Sequence, residues 1–175
     1  MEIRKATAAD LAAISEIYED IHTELEAGRM TVGWIRGVYP TRKTAETALE
    51  RDDLFVAEDQ GAIVGAAIIN QQQVDVYAGA PWQYDVPDNE VMVLHTLVIS
   101  PKLAGKGYGP RFVRFYEEYA LSHGCLYLRM DTNAINVRAQ VMYQKLGYQT
   151  IGTVPCEFNG IPGVRLMLLE KKLKP

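Results

Sequence analysis

Cysteine is scarce: Cys125 and Cys156 are the only two in 175 residues, far apart and without a Cys-x-x-Cys spacing. That argues against a disulfide framework and against a zinc site, and no metal is expected. Long apolar runs are absent as well. The longest, such as "AIVGAAII", fall far short of the roughly 20 residues that cross a bilayer, so no membrane partner is expected. The opening "MEIRKATAAD" has no apolar segment of the secretory kind, which leaves a cytoplasmic location as the simplest expectation. Basic residues are not in excess, since 18 Lys and Arg stand against 22 Asp and Glu for a formal net charge of −4. There is accordingly no electrostatic footprint for nucleic acid. Repeats, low-complexity tracts and Pro/Gly/Ser-rich linkers are missing too. One domain over residues 1–175, with one substantial core, is the expectation.

What is present is an ordinary globular composition, 48% hydrophobic and 23% charged, with a legible pattern. "EIRKAT" suits a short strand, and Thr7 suits the N-cap of a helix carrying Leu11, Ile14, Ile17, Tyr18 and Ile21 on one face. Residues 27–40 read as a loop or broken helix with exposed Trp34 and Tyr39, followed by a short helix over about 41–51. "LFVAE" and "AIVGAAIIN" read as strands joined at Asp59-Gln60-Gly61. After a polar and aromatic loop over 71–89, Val91 to Ile99 forms the strongest strand signal. Phe112, Phe115, Tyr116 and Tyr119 then recur at helical spacing up to Gly124. "LYLRM" is a strand, Asn136 to Leu146 a helix stopped by Gly147, and "VRLMLLE" the closing strand. Val91 to Met130 is therefore a βαβ unit, which implies a parallel strand pair with a right-handed crossover.

Inside that unit lies "SPKLAGKGYGPRF", where Gly105, Gly107 and Gly109 alternate just before a helix, and Pro110 suits the first helical position. A helix N-terminus offers unpaired N–H groups and the positive end of the macrodipole, and glycines let a phosphate approach the backbone. The dinucleotide Gly-x-Gly-x-x-Gly spacing fails, because residue 110 is proline. The P-loop fails as well, since Gly107 stands where Ser or Thr is needed. A turn that merely packs a helix on a sheet is the alternative.

"LVISPKLAGKGYG" resembles the acyl-CoA-binding motif of the GCN5-related N-acetyltransferases (GNAT), with Gly107 and Gly109 at its glycines. Ala104 departs from the family's usual Arg or Gln. A second signature, "NVRAQVMYQKLGYQTIG", is similar to the family's Asn-x-x-Ala motif and is carried by Asn136, Ala139, Met142, Tyr143, Leu146, Gly147 and Tyr148. The resemblance implies an α/β GNAT fold: a central mixed, mostly antiparallel sheet flanked by helices, with a βαβ acyl-CoA-binding unit. It further implies acetyl-CoA as co-substrate, bound by the loop of Ala104, Gly105, Lys106, Gly107, Tyr108 and Gly109 and by the backbone of Leu97, Val98 and Ile99. The implied partner is a small-molecule amine, and a homodimer is allowed. A CoA-binding module of this fold that has lost catalysis is the rival expectation.

Acetyl transfer to an amine needs a polarised thioester carbonyl, a neutral amine and a protonated thiol leaving group. By resemblance, the backbone of residues 97–99 holds the carbonyl as a small oxyanion hole. Tyr143 is the candidate general acid, because a phenol with pKa about 10 stays protonated at neutral pH. Asn136 is either a pantetheine contact or a helix N-cap. His95 is the candidate base. It matches a strand position where arylalkylamine N-acetyltransferases carry a histidine, and alternation places it on one face with Leu97 and Ile99. The other reading is a histidine satisfied within the sheet. Glu90 is a weaker candidate, and Val93 stands where histone-type members carry a glutamate. Around the acceptor, Trp34, Tyr39, Tyr77, Trp82 and Tyr84 with Asp75, Asp85, Asp88 and Glu90 suit a cationic amine, or else form a solvated loop over packed aromatics.

Overall fold

Capping and turn chemistry set the first half of the chain. In the computed structural model, which describes residues 1–174, strand β1 (Glu2–Lys5) leads to Thr7, whose N–H donates to Asp10 Oδ2 at 2.8 Å. That capping box opens a short 3-10 turn and then helix α1 (Leu11–Glu26), which buries Ile14, Ile17, Tyr18 and Ile21. Thr41 starts helix α2 (Arg42–Glu50) with the same device. Strands β2 (Leu54–Asp59) and β3 (Ala62–Asn70) join across Gln60-Gly61, both at positive φ (52° and 78°), as a tight hairpin of the primed type requires.

The remaining elements are β4 (Val91–Ile99), α3 (Tyr108–Ser122), β5 (Tyr127–Asn133), α4 (Val137–Lys145), β6 (Gln149–Phe158) and β7 (Ile161–Lys172). All seven strands form one sheet in the order β1-β2-β3-β4-β5-β7-β6, antiparallel throughout except for the parallel β4–β5 pair. This is the mixed, mostly antiparallel sheet that the family resemblance implies, with the βαβ crossover read from the strand and helix order. Strand β6 has no counterpart in the sequence reading. Its signal is Asn159-Gly160, a two-residue primed turn with φ of 52° and 76°, which folds β6 back on β7. Helix α3 begins at Tyr108, so Pro110 occupies the third helical position rather than the first; its missing N–H still falls in the unpaired first turn.

One face of the sheet carries α3 and α4 over Phe55, Met92, Leu94, Leu128, Met130 and Leu169. The other face carries α1 and α2 at the β1–β4 end. Towards β5–β7 that second face is covered instead by the 71–90 segment, with Tyr77 over Val91, Val93 and Leu168. A buried ion pair pins this segment. Arg129 Nε donates to Glu170 Oε1 at 3.2 Å, its Nη1 to Gln73 Oε1 at 2.6 Å and its Nη2 to the Tyr84 carbonyl at 2.7 Å. Glu170 Oε2 in turn accepts from the Gln83 N–H at 2.9 Å. Among the described residues no helix is long and apolar enough to cross a membrane.

Two irregularities in the middle of the sheet make the site. First, β4 bulges against β3: Ala66 pairs with Val98 and Ile68 with His95, so β4 spends one extra residue there. Thr96 takes up the excess at φ 49°, a left-handed conformation that costs a non-glycine residue about 1 kcal/mol or more. The bulge inverts the side-chain alternation. Leu97 and Ile99 pack on the α3 face, whereas His95 lies on the opposite face opposite Ile68. The expected sharing of one face by His95, Leu97 and Ile99 is therefore overturned. Second, the parallel pairing stops at Leu94–Met130 although both strands continue, so β4 and β5 splay into a fork.

Candidate active site

The fork opens into a cavity of about 660 Å³. Its walls are β4 from Leu94 to Ile99, the glycine loop, the ends of β5 and α4, the 29–39 segment, and the tip of the β6–β7 hairpin. Of the residues expected at a site, His95, Leu97, Val98, Ile99, Ala104, Gly105, Gly107, Tyr108, Gly109, Asn136 and Tyr143 all line it. Lys106 lies outside the lining and is exposed.

The three alternating glycines do different jobs. Gly105 and Gly107 have φ of 83° and 78°, and a Cβ on either would meet nothing within 4 Å, so they are needed for backbone shape and leave the cradle open. Gly107 is the N-cap of α3, and it places the first-turn N–H groups beside that opening. Gly109 has ordinary φ, but a Cβ there would stand 3.0 Å from Met142 Sδ, so it permits the close approach of α3 and α4. The loop thus combines an open backbone cradle at Gly105 and Gly107 with a helix-packing contact at Gly109. Tyr108 is buried and fixes the start of α3 by donating to Asp59 Oδ2 at 2.6 Å.

Asn136 is an N-cap, as its Oδ1 accepts from the Ala139 N–H at 3.2 Å, and it lines the cavity as well. Tyr143 is buried on α4 with its ring against Tyr148. Burial first, and then the charge of Asp131, push its phenol well above the usual range. It is consequently a reliable carrier of a proton at neutral pH.

His95 is tied into the sheet. Its Nε2 lies 2.9 Å from Asn70 Oδ1, while Asn70 Nδ2 donates to Asp53 Oδ2 at 2.7 Å and Arg51 Nε holds that carboxylate at 2.8 Å. Asp53 can only accept, which orients the Asn70 amide and makes His95 Nε2 the donor, leaving Nδ1 with a lone pair. Desolvation pushes the imidazole down to about 4, so it is neutral at physiological pH.

The expected acceptor wall divides. Trp34 and Tyr39 are half-buried rather than exposed; both line the cavity, and the Tyr39 hydroxyl hydrogen-bonds Thr96 at the bulge. Trp82 instead stacks over the Arg129 guanidinium and Tyr84 packs on Tyr127. Asp75, Asp85, Asp88 and Glu90 are exposed and lie outside the lining, so these loop carboxylates are solvated. Two carboxylates do reach the cavity, neither singled out in the sequence: Glu24 on α1, which pairs with Arg29 at 2.7 Å, and Asp131 on β5. Asp131 receives a 2.7 Å hydrogen bond from the Tyr77 hydroxyl, and burial raises it to about 6. Its only sequence signal is a charge at the end of an apolar strand.

An elongated thioester with a pyrophosphate at one end fits this lining. The glycine cradle and helix N-terminus suit the pyrophosphate, and the unpaired edge of β4 past Leu94 offers backbone groups to the pantetheine arm. Comparison with known proteins points the same way. The chain matches the acetyltransferase (GNAT) family over residues 12–148. It is 26% identical over 141 residues to a streptothricin acetyltransferase of Escherichia coli, covering 81% of this chain and 71% of that one. A GNAT-family acetyltransferase structure from Streptococcus agalactiae superposes with a TM-score of 0.82 at 24% identity, over 99% of this chain and 96% of that one. A Salmonella typhimurium protein solved with its cofactor acetyl-CoA shares the fold at a TM-score of 0.71 and 20% identity, over 100% and 95% of the two chains. With a glycine cradle, a strand fork and a family match spanning most of its length, the chain belongs to the acetyltransferase (GNAT) family and is an acetyl-CoA-dependent N-acetyltransferase.

Proposed function

We propose that the acceptor is a primary amine of a small or amino-acid-like molecule, acetylated by direct attack of the amine on the thioester. The observation that carries this reading is the continuity of the cavity, which runs from the glycine cradle through the fork to Trp34 and Tyr39. Its volume of about 660 Å³ falls among sites for small ligands, roughly 300–1,000 Å³. The name of the Escherichia coli relative, a streptothricin acetyltransferase, supports a small-molecule acceptor.

In this reading the glycine loop from Ala104 to Gly109 binds the pyrophosphate, and the backbone of Leu97, Val98 and Ile99 holds the thioester arm and its carbonyl. Ala104 has no side-chain donor to offer, so binding rests on backbone N–H groups. Asn136 caps α4 and orients it, which places Tyr143 over the fork. Tyr143 donates its phenolic proton to the departing thiolate. His95, neutral and fixed by Asn70, presents Nδ1 as an acceptor for a water or for the amine.

The test is thiol release from acetyl-CoA with spermidine, lysine methyl ester and p-anisidine as acceptors. Release that depends on the amine is expected. In Gly107→Asp a carboxylate enters the phosphate cradle and left-handed strain is added, so calorimetry should show acetyl-CoA binding abolished in a folded protein. Unchanged affinity would remove the phosphate assignment. Binding of acetyl-CoA without release from any amine would favour the non-catalytic CoA-binding module.

A further inference from the structure

We propose that Asp131 is the group that receives the acceptor's ammonium and accepts its proton before attack, an assignment that rests on the amine reading above. Asp131 and His95 hold equivalent places in the fork. Each is the first residue beyond the last paired couple, Leu94–Met130, and both lie on the face opposite α3. Their surroundings differ. His95 is satisfied by the Asn70–Asp53–Arg51 chain and carries no charge. Asp131 has one protein hydrogen bond, from the Tyr77 hydroxyl at 2.7 Å, and among the described residues it has no cationic partner.

The other titratable groups facing it are Tyr143 on α4, Tyr39 on the 27–41 segment and Cys156 on β6, with His95 across the fork on β4. Burial drives the two phenols and the thiol upward and the imidazole downward, so all four are neutral near pH 7. The nearest cation along β5 is Arg129, which is already committed to Glu170, Gln73 and the Tyr84 carbonyl. Arg29 and Arg138 also line the cavity, but Arg29 is paired with Glu24 and neither forms an ion pair with Asp131, so this half-buried carboxylate is completed by a cation brought in from outside, and an alkyl ammonium supplies one. Aromatic rings of Trp34 and Tyr39 at the same cavity suit the same charge.

One ammonium proton passes to the Asp131 carboxylate, and the freed nitrogen lone pair forms a bond to the thioester carbon. The carbon–sulfur bond breaks, and the sulfur takes the Tyr143 proton. The second nitrogen proton restores Tyr143, directly or through water. Asp131 then releases its proton to solvent, so the products are the amide, the free thiol and one proton. A carboxyl raised to about 6 is ionised at neutral pH, yet is a better base than an ordinary aspartate.

The experiment measures kcat/KM against pH with spermidine, lysine methyl ester and p-anisidine, the last being neutral near pH 7. Wild-type protein should show an acid limb near pH 6 with the two cationic amines. Asp131→Asn should lose that limb and about a hundredfold or more in kcat/KM for them, while losing less than about threefold for p-anisidine. Equal losses on all three amines, or an acid limb that survives the substitution, overturn the assignment. Tyr77→Phe provides a second route that keeps the carboxylate. Removing a hydrogen bond that stabilises the anion must move the acid limb to higher pH, and a limb that stays in place also overturns it. Wild-type protein that releases no thiol with any of the amines sinks the amine reading and this assignment together. Normal release by both wild type and Asp131→Asn sinks the assignment alone.

Discussion

Arg129 and Asp131 stand two residues apart on β5, face the same side of the sheet and lie under the same 71–90 segment, yet their environments are opposite. Arg129 meets a carboxylate, an amide and a backbone carbonyl, which accept from Nε, Nη1 and Nη2. Asp131 meets one phenol and a cavity. A charge whose partners are all protein holds the fold in one arrangement. A charge left short of partners beside a cavity is available for chemistry, at some expense in stability. The step from structural to functional charge takes about one strand repeat, because β4 and β5 stop pairing between the two residues.

The strongest way to break the comparison is to make the structural charge incomplete. Arg129→Met strands the Glu170 carboxylate, which is 1% exposed, without its counter-charge. Urea unfolding should show a loss of about 3–5 kcal/mol. The double variant Arg129→Met, Glu170→Gln should recover part of it, since the amide oxygen still accepts from Gln83. No recovery would mean that Arg129 acts through packing on Trp82 alone.

The pH dependence of stability sharpens the contrast between the two fork residues. Folding raises Asp131 from 3.8 to about 6, so the folded state holds that proton more tightly than the unfolded chain. The resulting stability, about 3 kcal/mol, is present below pH 3.8 and lost as pH rises through 6. Folding lowers His95 from 6.5 to about 4, so the unfolded chain binds the proton more tightly. A contribution of about the same size is lost as pH falls from 6.5 through 4. The two oppose each other in wild type. Asp131→Asn should therefore be stabilised relative to wild type as pH rises from 4 to 6, and its own stability should climb across that window. His95→Gln should show a decline over the same range. Parallel curves for both variants would contradict the assigned environments.

Tyr143→Phe probes a hydroxyl at the functional end. It should lower turnover by about a hundredfold, near 3 kcal/mol in the barrier, with the melting temperature nearly unchanged. An early-melting variant with normal turnover would make Tyr143 a packing residue. The smallest effect is expected where only contact distance is at stake. Gly109→Ala must displace Met142 by a few tenths of an ångström, but alanine improves helix propensity, so stability should move by less than about 1 kcal/mol. Acetyl-CoA affinity should fall severalfold, because Met142 lines the same cavity. A large loss of stability would show that α3 and α4 cannot yield there.

By itself the sequence determined the βαβ unit, the alternating-glycine loop, the helix start at Asn136 and the place of Tyr143 on that helix, because these depend on residues close together along the chain. Positive φ at Gly105 and Gly107, a cap three residues from the N–H it satisfies and a 3.6-residue period are all local requirements. Strand β6 carries a local signal as well, in the Asn159-Gly160 turn. Three things belonged to the tertiary structure. The bulge at Thr96 turned His95 away from Leu97, since register is decided by the partner strand and one extra residue inverts every side chain beyond it. Desolvation neutralised His95, and the Asn70–Asp53–Arg51 chain that orients it is built from groups distant from it in sequence. Asp131 became the unpaired carboxylate of the cavity only because β4 and β5 part there and Arg129 was already taken. A pKa depends on what surrounds a group in space, and a list of residues in order carries no record of that.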